Sequence, residues 1–277
     1  MERRQTSSGV SLAIAKTMTS YENHKPLIEN ESKANFTIKI ANTIEEREAV
    51  FHLGYQIYLE KGYIKENPSQ WMIQNYDFDS ETVILIVQDQ NKKIAGSVTI
   101  VFDGYSKLPA TSIYSEEIQA LRKSGSRMAE VSRLVISPDY RNSKEILVLL
   151  FNYLAIYIHH VRKYNSFVVQ VNPRHKNYYK TLLNFEEIGQ EKPCPHVQSA
   201  PAVLLYLATS KYQSEVIRCT GTKDHQIKER SLYPHFLTAE QENLVAYYLE
   251  NQKKTMTILE KNYFGFSESG SSRAVCV

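Results

Sequence analysis

The chain has 277 residues, 42% of them hydrophobic and 23% charged, with a formal net charge of +3. Such a chain buries a full core, as one large domain or two small ones, which excludes a fibrous or low-complexity protein. The mild positive balance is too weak to point to nucleic acid.

Residues 1–34 are polar and rich in Ser, Thr, Asn and Lys, and read as a disordered N-terminal arm rather than an export signal. Phe36, Ile38 and Ile40 alternate with Thr37 and Lys39, the period of a half-buried strand. Thr43 stands three residues before Glu46, a capping box that predicts a helix to about Lys61, stopped by Gly62. A loop with Trp71 and Asn-Tyr-Asp-Phe-Asp follows, residues 63–80. Strands at 82–88 and 93–102 are expected to form a hairpin through the polar turn 89–92. A short helix at 115–123, a strand at 128–136 and a long amphipathic helix at 143–163 come next. A strand at 166–171, a helix at 173–183 and a strand at 202–207 complete the pattern.

This order, β-α-β-β-(α)-β-α-β-α-β, predicts one mixed α/β domain over residues 35–210. Helical spacing then recurs only between Thr238 and Glu260, so 211–277 reads as a helical extension ending in a tail. Its aromatic and lysine-rich segment from Tyr247 to Phe266 is expected to pack one face on the domain. No apolar run is expected to span a membrane. Cys194, Cys219 and Cys276 are widely spaced and odd in number, which argues against a disulfide framework and fits the cytoplasm. His159-His160 face different directions on a helix and Cys194-Pro-His196 lacks further ligands, so no metal site is expected. No phosphate-binding glycine fingerprint is present.

The strand at 128–136 is the most informative segment. It has the β-branched residues of a buried strand, yet it carries Glu130, Ser132 and Arg133. Charges are costly to bury unless they pair or meet a ligand, and a helix after such a strand marks a site at the sheet's carboxyl end. Strict alternation puts Glu130 and Ser132 on one face and Arg133 on the other.

Several pieces, in their order and spacing, carry a resemblance. They are Leu53…Tyr58…Gly62-Tyr63, Tyr76-Asp77, Ala95-Gly96, Leu108-Pro109, Glu130-Val-Ser-Arg133 through Pro138, and Asn172 through Phe185. Together they resemble the GNAT acyl-CoA N-acyltransferase fold, an α/β fold of the α+β type with a mixed central sheet and helices on both faces. Within it the chain is similar to the acyl-homoserine-lactone synthase branch and to the long-chain N-acyl amino acid synthases (FeeM-like).

The resemblance implies an N-acyltransferase that lays an acyl thioester between two splayed strands, where an amine attacks its carbonyl. A backbone N–H at a bulge on the fourth strand, near Val131 to Arg133, then serves the carbonyl oxygen. Glu130 is the candidate to take the amine's proton, or else an ion-pair partner that holds the strand. Arg133 binds phosphopantetheine or orients Glu130. Ser132 donates to the thioester or satisfies a backbone group. Asp77 matches a loop aspartate near the acceptor side, or forms an Asx turn. Tyr58, Tyr63 and Trp71 line the pocket or belong to the core. Tyr179 stands where a tyrosine returns a proton to the leaving thiolate, or packs beneath the sheet.

Arg141 and Lys144 occupy the place of the family's diphosphate loop, but its glycines are missing and Ile146 stands where close approach is wanted. An acyl-carrier protein is therefore expected as donor partner ahead of acyl-CoA, met by Arg122, Lys123, Arg127, Arg141 and Lys144, with a small amine as acceptor and no tightly bound cofactor. Gly54 and Thr99 stand where relatives carry arginines, and Gln74 where an acid is often found. These departures bear on the acceptor. An acetyl-CoA-dependent acetyltransferase and a non-catalytic acyl-ligand binder remain the alternatives.

Overall fold

Alternation buries Ile38 and Ile40 of strand β1 (Phe36–Ile40). Helix α1 (Ile44–Glu60) starts at the expected capping box: Thr43 accepts from the Glu46 amide and the Glu46 side chain accepts from Thr43. The computed structural model describes residues 36–104, 107–220 and 230–266, so the expected arm at 1–34 and the tail at 267–277 lie outside the described residues.

Strands β2 (Val83–Asp89) and β3 (Ile94–Phe102) form the expected hairpin. Helix α2 (Ser115–Lys123) leads to β4 (Met128–Ile136), and helix α3 (Lys144–Ile156), continued by a π-helical turn at Tyr157–Val161, leads to β5 (Ser166–Val171). Helix α4 (Pro173–Leu183) precedes β6 (Glu186–Cys194) and β7 (Ala200–Ala208). The seven strands form one sheet in the order β1-β2-β3-β4-β5-β7-β6, antiparallel throughout except where β4 meets β5. On one face α3 and α4 cover Leu85, Val98, Val131 and Val169; on the other, α1 covers Ile84 and Ile86 while α2 covers Val101 and Val168.

Two elements depart from the sequence-based expectation. β6 was not anticipated because its residues, Glu-Glu-Ile-Gly-Gln-Glu-Lys-Pro-Cys, are mostly exposed and include Pro193. It is an edge strand, paired only with β7 and bulged twice, and an edge tolerates such a sequence. Helix α5 (Thr209–Cys219) lies ahead of Thr238 to Glu260, the one part of the extension where helical spacing is expected. Its buried stripe is Thr209, Tyr212, Val216 and Cys219, a helical spacing carried by only one aliphatic residue.

Among the described residues one stretch, Lys144–Val161, is by length and composition apolar enough to cross a membrane. Its residues from Leu149 through Ile158 are buried inside the protein instead.

After α5, helix α6 (Ala239–Gln252) docks on α3 through Glu242, whose side chain is 3% exposed. That carboxylate accepts from Asn152 at 3.1 Å, His160 at 3.0 Å and the Tyr212 hydroxyl. The chain then passes the β1 edge, where Asn42 donates to the Gln252 carbonyl at 2.7 Å, and helix α7 (Ile258–Tyr263) settles near α1.

Candidate active site

β4 and β5 are paired only at Met128–Ser166, Ala129–Phe167 and Glu130–Val168. Beyond that point β4 continues to Ile136 and β5 to Val171, and the ladder between them has ended. The strands part like a V with Glu130 at its apex.

Glu130 is 2% exposed. One carboxyl oxygen accepts the Ala110 amide at 2.7 Å, and the other accepts the Gln170 side-chain amide at 3.0 Å. Burial pushes the carboxyl up to about 7, against these two hydrogen bonds, which favour the charged form. Among the described residues no cation pairs with it, so it is poised to gain or lose a proton near neutrality. The Gln170 side-chain oxygen, Oε1, is buried without a partner among the described residues.

Two residues farther along, β4 bulges. Ser97 pairs with Val135 and Thr99 with Ser132, so β4 carries one residue more than β3 between the two pairs. Arg133 absorbs the extra residue with φ +44°. Alternation alone would send Arg133 to the α3 face. The bulge turns it to the same face as Glu130 and Ser132.

There the Arg133 guanidinium is 1% exposed and pairs with Asp77, which is fully buried, through bonds of 2.5 and 2.9 Å. It also donates to the Met72 carbonyl at 2.9 Å and to the Thr99 hydroxyl at 3.0 Å. Phe51 lies 5.2 Å from its Cζ. Asp77 is held in turn by the Gln74 amide at 2.8 Å. Arg133 therefore grips Asp77, not Glu130, in an ion pair across the sheet face.

This arrangement explains two sequence departures. A Cβ on Gly54 would sit 3.4 Å from the Arg133 side chain, and Thr99 is one of its hydrogen-bond partners. Arg133 fills the space between those positions, and a second arginine there would meet both its bulk and its charge.

The other expected residues are distributed around the V. Ser132 hydrogen-bonds the Tyr76 hydroxyl at 3.2 Å, and Tyr76 is itself held neutral by burial, which raises its pKa. Val131 is 3% exposed on the α3 face. Tyr179 lies on that face too, 6% exposed between Phe151 and Phe185, with burial raising its phenol well above its ordinary value. Tyr58 contacts Tyr63 edge-on at 5.8 Å, and burial raises its phenol above the ordinary value against the pull of the nearby Arg133 guanidinium. Trp71 packs against Tyr263 and Phe264 of the C-terminal segment rather than standing alone in a pocket.

The expected donor-side cations are largely engaged. Arg141 pairs with Glu60 at 2.7 Å, Arg122 pairs with Asp103, and the Lys144 amine lies 2.7 Å from His235. Ser143 caps α3 by accepting the Ile146 amide, and Ile146 is fully buried against Gly96 of β3. A Cβ on Gly96 would lie 2.9 Å from both Ile136 and Ile146 and 3.2 Å from the Val135 carbonyl. Gly96→Ala is thus expected to lower the unfolding free energy by roughly 1–3 kcal/mol through overpacking. Adding Ile136→Val, which removes the Cδ1 atom that makes one of these contacts, should recover part of that loss in urea titrations, and an unchanged midpoint in the single variant would contradict the packing described.

Three participants escaped the sequence reading. Ala110 acts through its backbone and leaves no side-chain signal. Tyr76 lay inside a matched motif without an assigned partner. Gln170 had a usable signal: it is a polar residue in the buried run Ser-Phe-Val-Val-Gln-Val, like Glu130 in its own strand.

Comparison with known proteins identifies the family and the fold. A sequence-family model described as N-acyl amino acid synthase FeeM matches residues 49–208, more than half of the chain. The structure of FeeM, an N-acyl amino acid synthase from uncultured soil microbes, is similar with a TM-score of 0.56 at 23% identity, covering 65% of this chain and 93% of that one. The acyl-homoserine-lactone synthase LasI gives a TM-score of 0.50 at 16% identity, over 63% of this chain and 90% of that one. Both likenesses establish the GNAT-type fold. No curated protein matches the sequence.

Proposed function

The chain belongs to the N-acyl amino acid synthase FeeM family, a family of acyltransferases, and from that premise we propose a specific reaction. A long-chain acyl group passes from the pantetheine thioester of an acyl-carrier protein, in the cytoplasm, to the amine of an amino acid or a related small molecule. The observation that carries this reading is the end of β4–β5 pairing at Glu130, with a carboxyl at the apex whose pKa lies near 7.

In this reading the thioester lies in the V, its carbonyl oxygen facing a backbone N–H of the bulge around Arg133. The acceptor nitrogen attacks the carbonyl carbon and a C–N bond forms. Its surplus proton passes to the Glu130 carboxylate, directly or through one water. The C–S bond then breaks, and the thiolate leaves with a proton from Tyr179; the phenolate regains a proton from solvent as Glu130 releases the one it took from the amine. Burial keeps that phenol in its acid form between turnovers. Tyr179 lies on the opposite face from Glu130, so proton uptake and proton release are divided between the two sides of the V. The ion pair of Arg133 with Asp77 holds the bulge, and Ser132 with Tyr76 lines the acceptor side.

A carrier protein is favoured as donor because α3 begins without the glycine loop that would cradle a diphosphate. Ser143 caps its first turn, and Ile146 is packed inward on Gly96. The test is mass spectrometry of lipids from cells expressing the wild type or Glu130→Gln. The reading predicts an N-acyl product in the first that is absent in the second. Equal product in both, or none in either, would reject it.

A further inference from the structure

Residues 238–266 lie outside the family match, which ends at 208, yet they reach the site. We infer that this C-terminal strap is a working part of the acceptor side, with Phe264 as a positioning residue for the loop 71–78 and the Arg133 bulge. The inference rests on the reading above, in which Ser132 with Tyr76 lines the acceptor side.

The strap is tied down at both ends of its crossing. Glu242 anchors α6 on α3, and beyond it Lys254 donates to Asn42 at 3.0 Å and accepts from Arg47 at 3.4 Å. Helix α7 opens with its own capping box, Thr257 with Glu260. The strap then buries one aromatic ring, Phe264, and lays two more, Tyr263 and Phe266, against the loop. Phe264, 6% exposed, meets Phe51 edge-on at 5.1 Å and Trp71 at 5.4 Å, while Tyr263 meets Trp71 at 5.8 Å and Phe266 meets Phe78 at 5.0 Å.

Each ring it touches belongs to the support of Arg133. Phe51 lies under the guanidinium, and its backbone carbonyl accepts the Met72 amide at 3.0 Å. The Met72 carbonyl accepts from Arg133, and Trp71 and Phe78 flank the segment that presents Met72 and Asp77. The strap thus clamps helix α1 to the loop. Without the clamp, Met72 and Asp77 are free to shift against Thr99, the fourth element of the Arg133 cage. Because Arg133 is also the bulge residue, that shift is transmitted to Ser132.

The experiment compares the full chain with Phe264→Ala, and with Leu259→Ala as control, since Leu259 is 77% exposed on helix α7, which Phe264 follows. Hydrogen exchange of amides in 71–78 and 131–135 is expected to accelerate roughly two- to tenfold in Phe264→Ala, the range an aromatic edge-to-face contact is worth. The control should not change. With palmitoyl-CoA or a palmitoyl-carrier as donor, and the fastest of the twenty amino acids as acceptor, KM for the acceptor should rise by the same factor while KM for the donor holds. Phe264→Tyr should restore both. If Phe264→Ala does not fold, Phe264→Leu serves, which keeps the bulk and removes the ring.

Exchange confined to 256–266 would overturn the inference, as would equal rises in both KM values. A wild type that transfers no acyl group counts against the proposed function instead, and the exchange pattern then decides this inference by itself.

Discussion

Glu130→Gln is expected to lower kcat by roughly 10²- to 10⁴-fold, the usual worth of a positioned proton acceptor, with little change in donor affinity. Glutamine keeps the shape and can still accept from Ala110, so the loss reports on the proton and not on packing. In the wild type the carboxylate is the active form, so kcat/KM should rise with pH through about 7 and then level. The variant should lose that inflection.

The same carboxyl makes an opposite prediction for stability. Its folded pKa, about 7, lies above the ordinary value of 4.5, so the stability it contributes is complete below 4.5 and lost as pH rises through 7. Above pH 7 the ionised buried carboxylate costs the fold about 3 kcal/mol. Glu130→Gln should therefore match the wild type near pH 5 and exceed its urea midpoint at pH 8. A variant equally or less stable at pH 8 would mean that the carboxyl is ionised at little cost, and that its environment is wetter than described.

Arg133→Met carries the largest stability effect. It leaves Asp77, fully buried, with the Gln74 amide as its remaining hydrogen-bond donor among the described residues, and breaking a buried pair in this way costs about 3–5 kcal/mol. The Met72 carbonyl and the Thr99 hydroxyl lose a donor at the same time. Adding Asp77→Asn should return most of the loss, because the desolvated charge is then gone. Urea unfolding at neutral pH measures both variants. A single variant within about 1 kcal/mol of wild type would place Asp77 in contact with water and remove the ion pair from the account.

Much of the scaffold was legible because its signals are local. Thr43 with Glu46 marks a helix start by side chains alone, and the alternation of Phe36, Ile38 and Ile40 marks a strand. Helix α2, strand β4, strand β5 and helix α4 fall on the residues expected. What stayed hidden depends on the partner. β6 is a strand only because β7 offers it a ladder, and its exposed, charged sequence carries no apolar period of its own.

The site divides in the same way. Glu130, Ser132 and Arg133 stood out as polar residues in a buried run, yet which of them pair was not written in the spacing. Period-two alternation sends Arg133 to the wrong face; only the bulge, implied by resemblance, returns it. Gly54 and Thr99 looked like missing arginines until Arg133 was seen lying between them. The aromatic residues of 247–266 gave a packing face but no target, because Phe51 and Trp71 lie about 200 positions earlier in the chain.

The most direct test of the account is a crystal structure with a non-transferable thioether analogue of palmitoyl-pantetheine. The account predicts the atom standing for the carbonyl between residues 131–134 of β4 and 169–171 of β5, within hydrogen-bond reach of a bulge amide and on the Glu130 side. An analogue bound elsewhere, with β4 and β5 laddered together past Glu130, would contradict it.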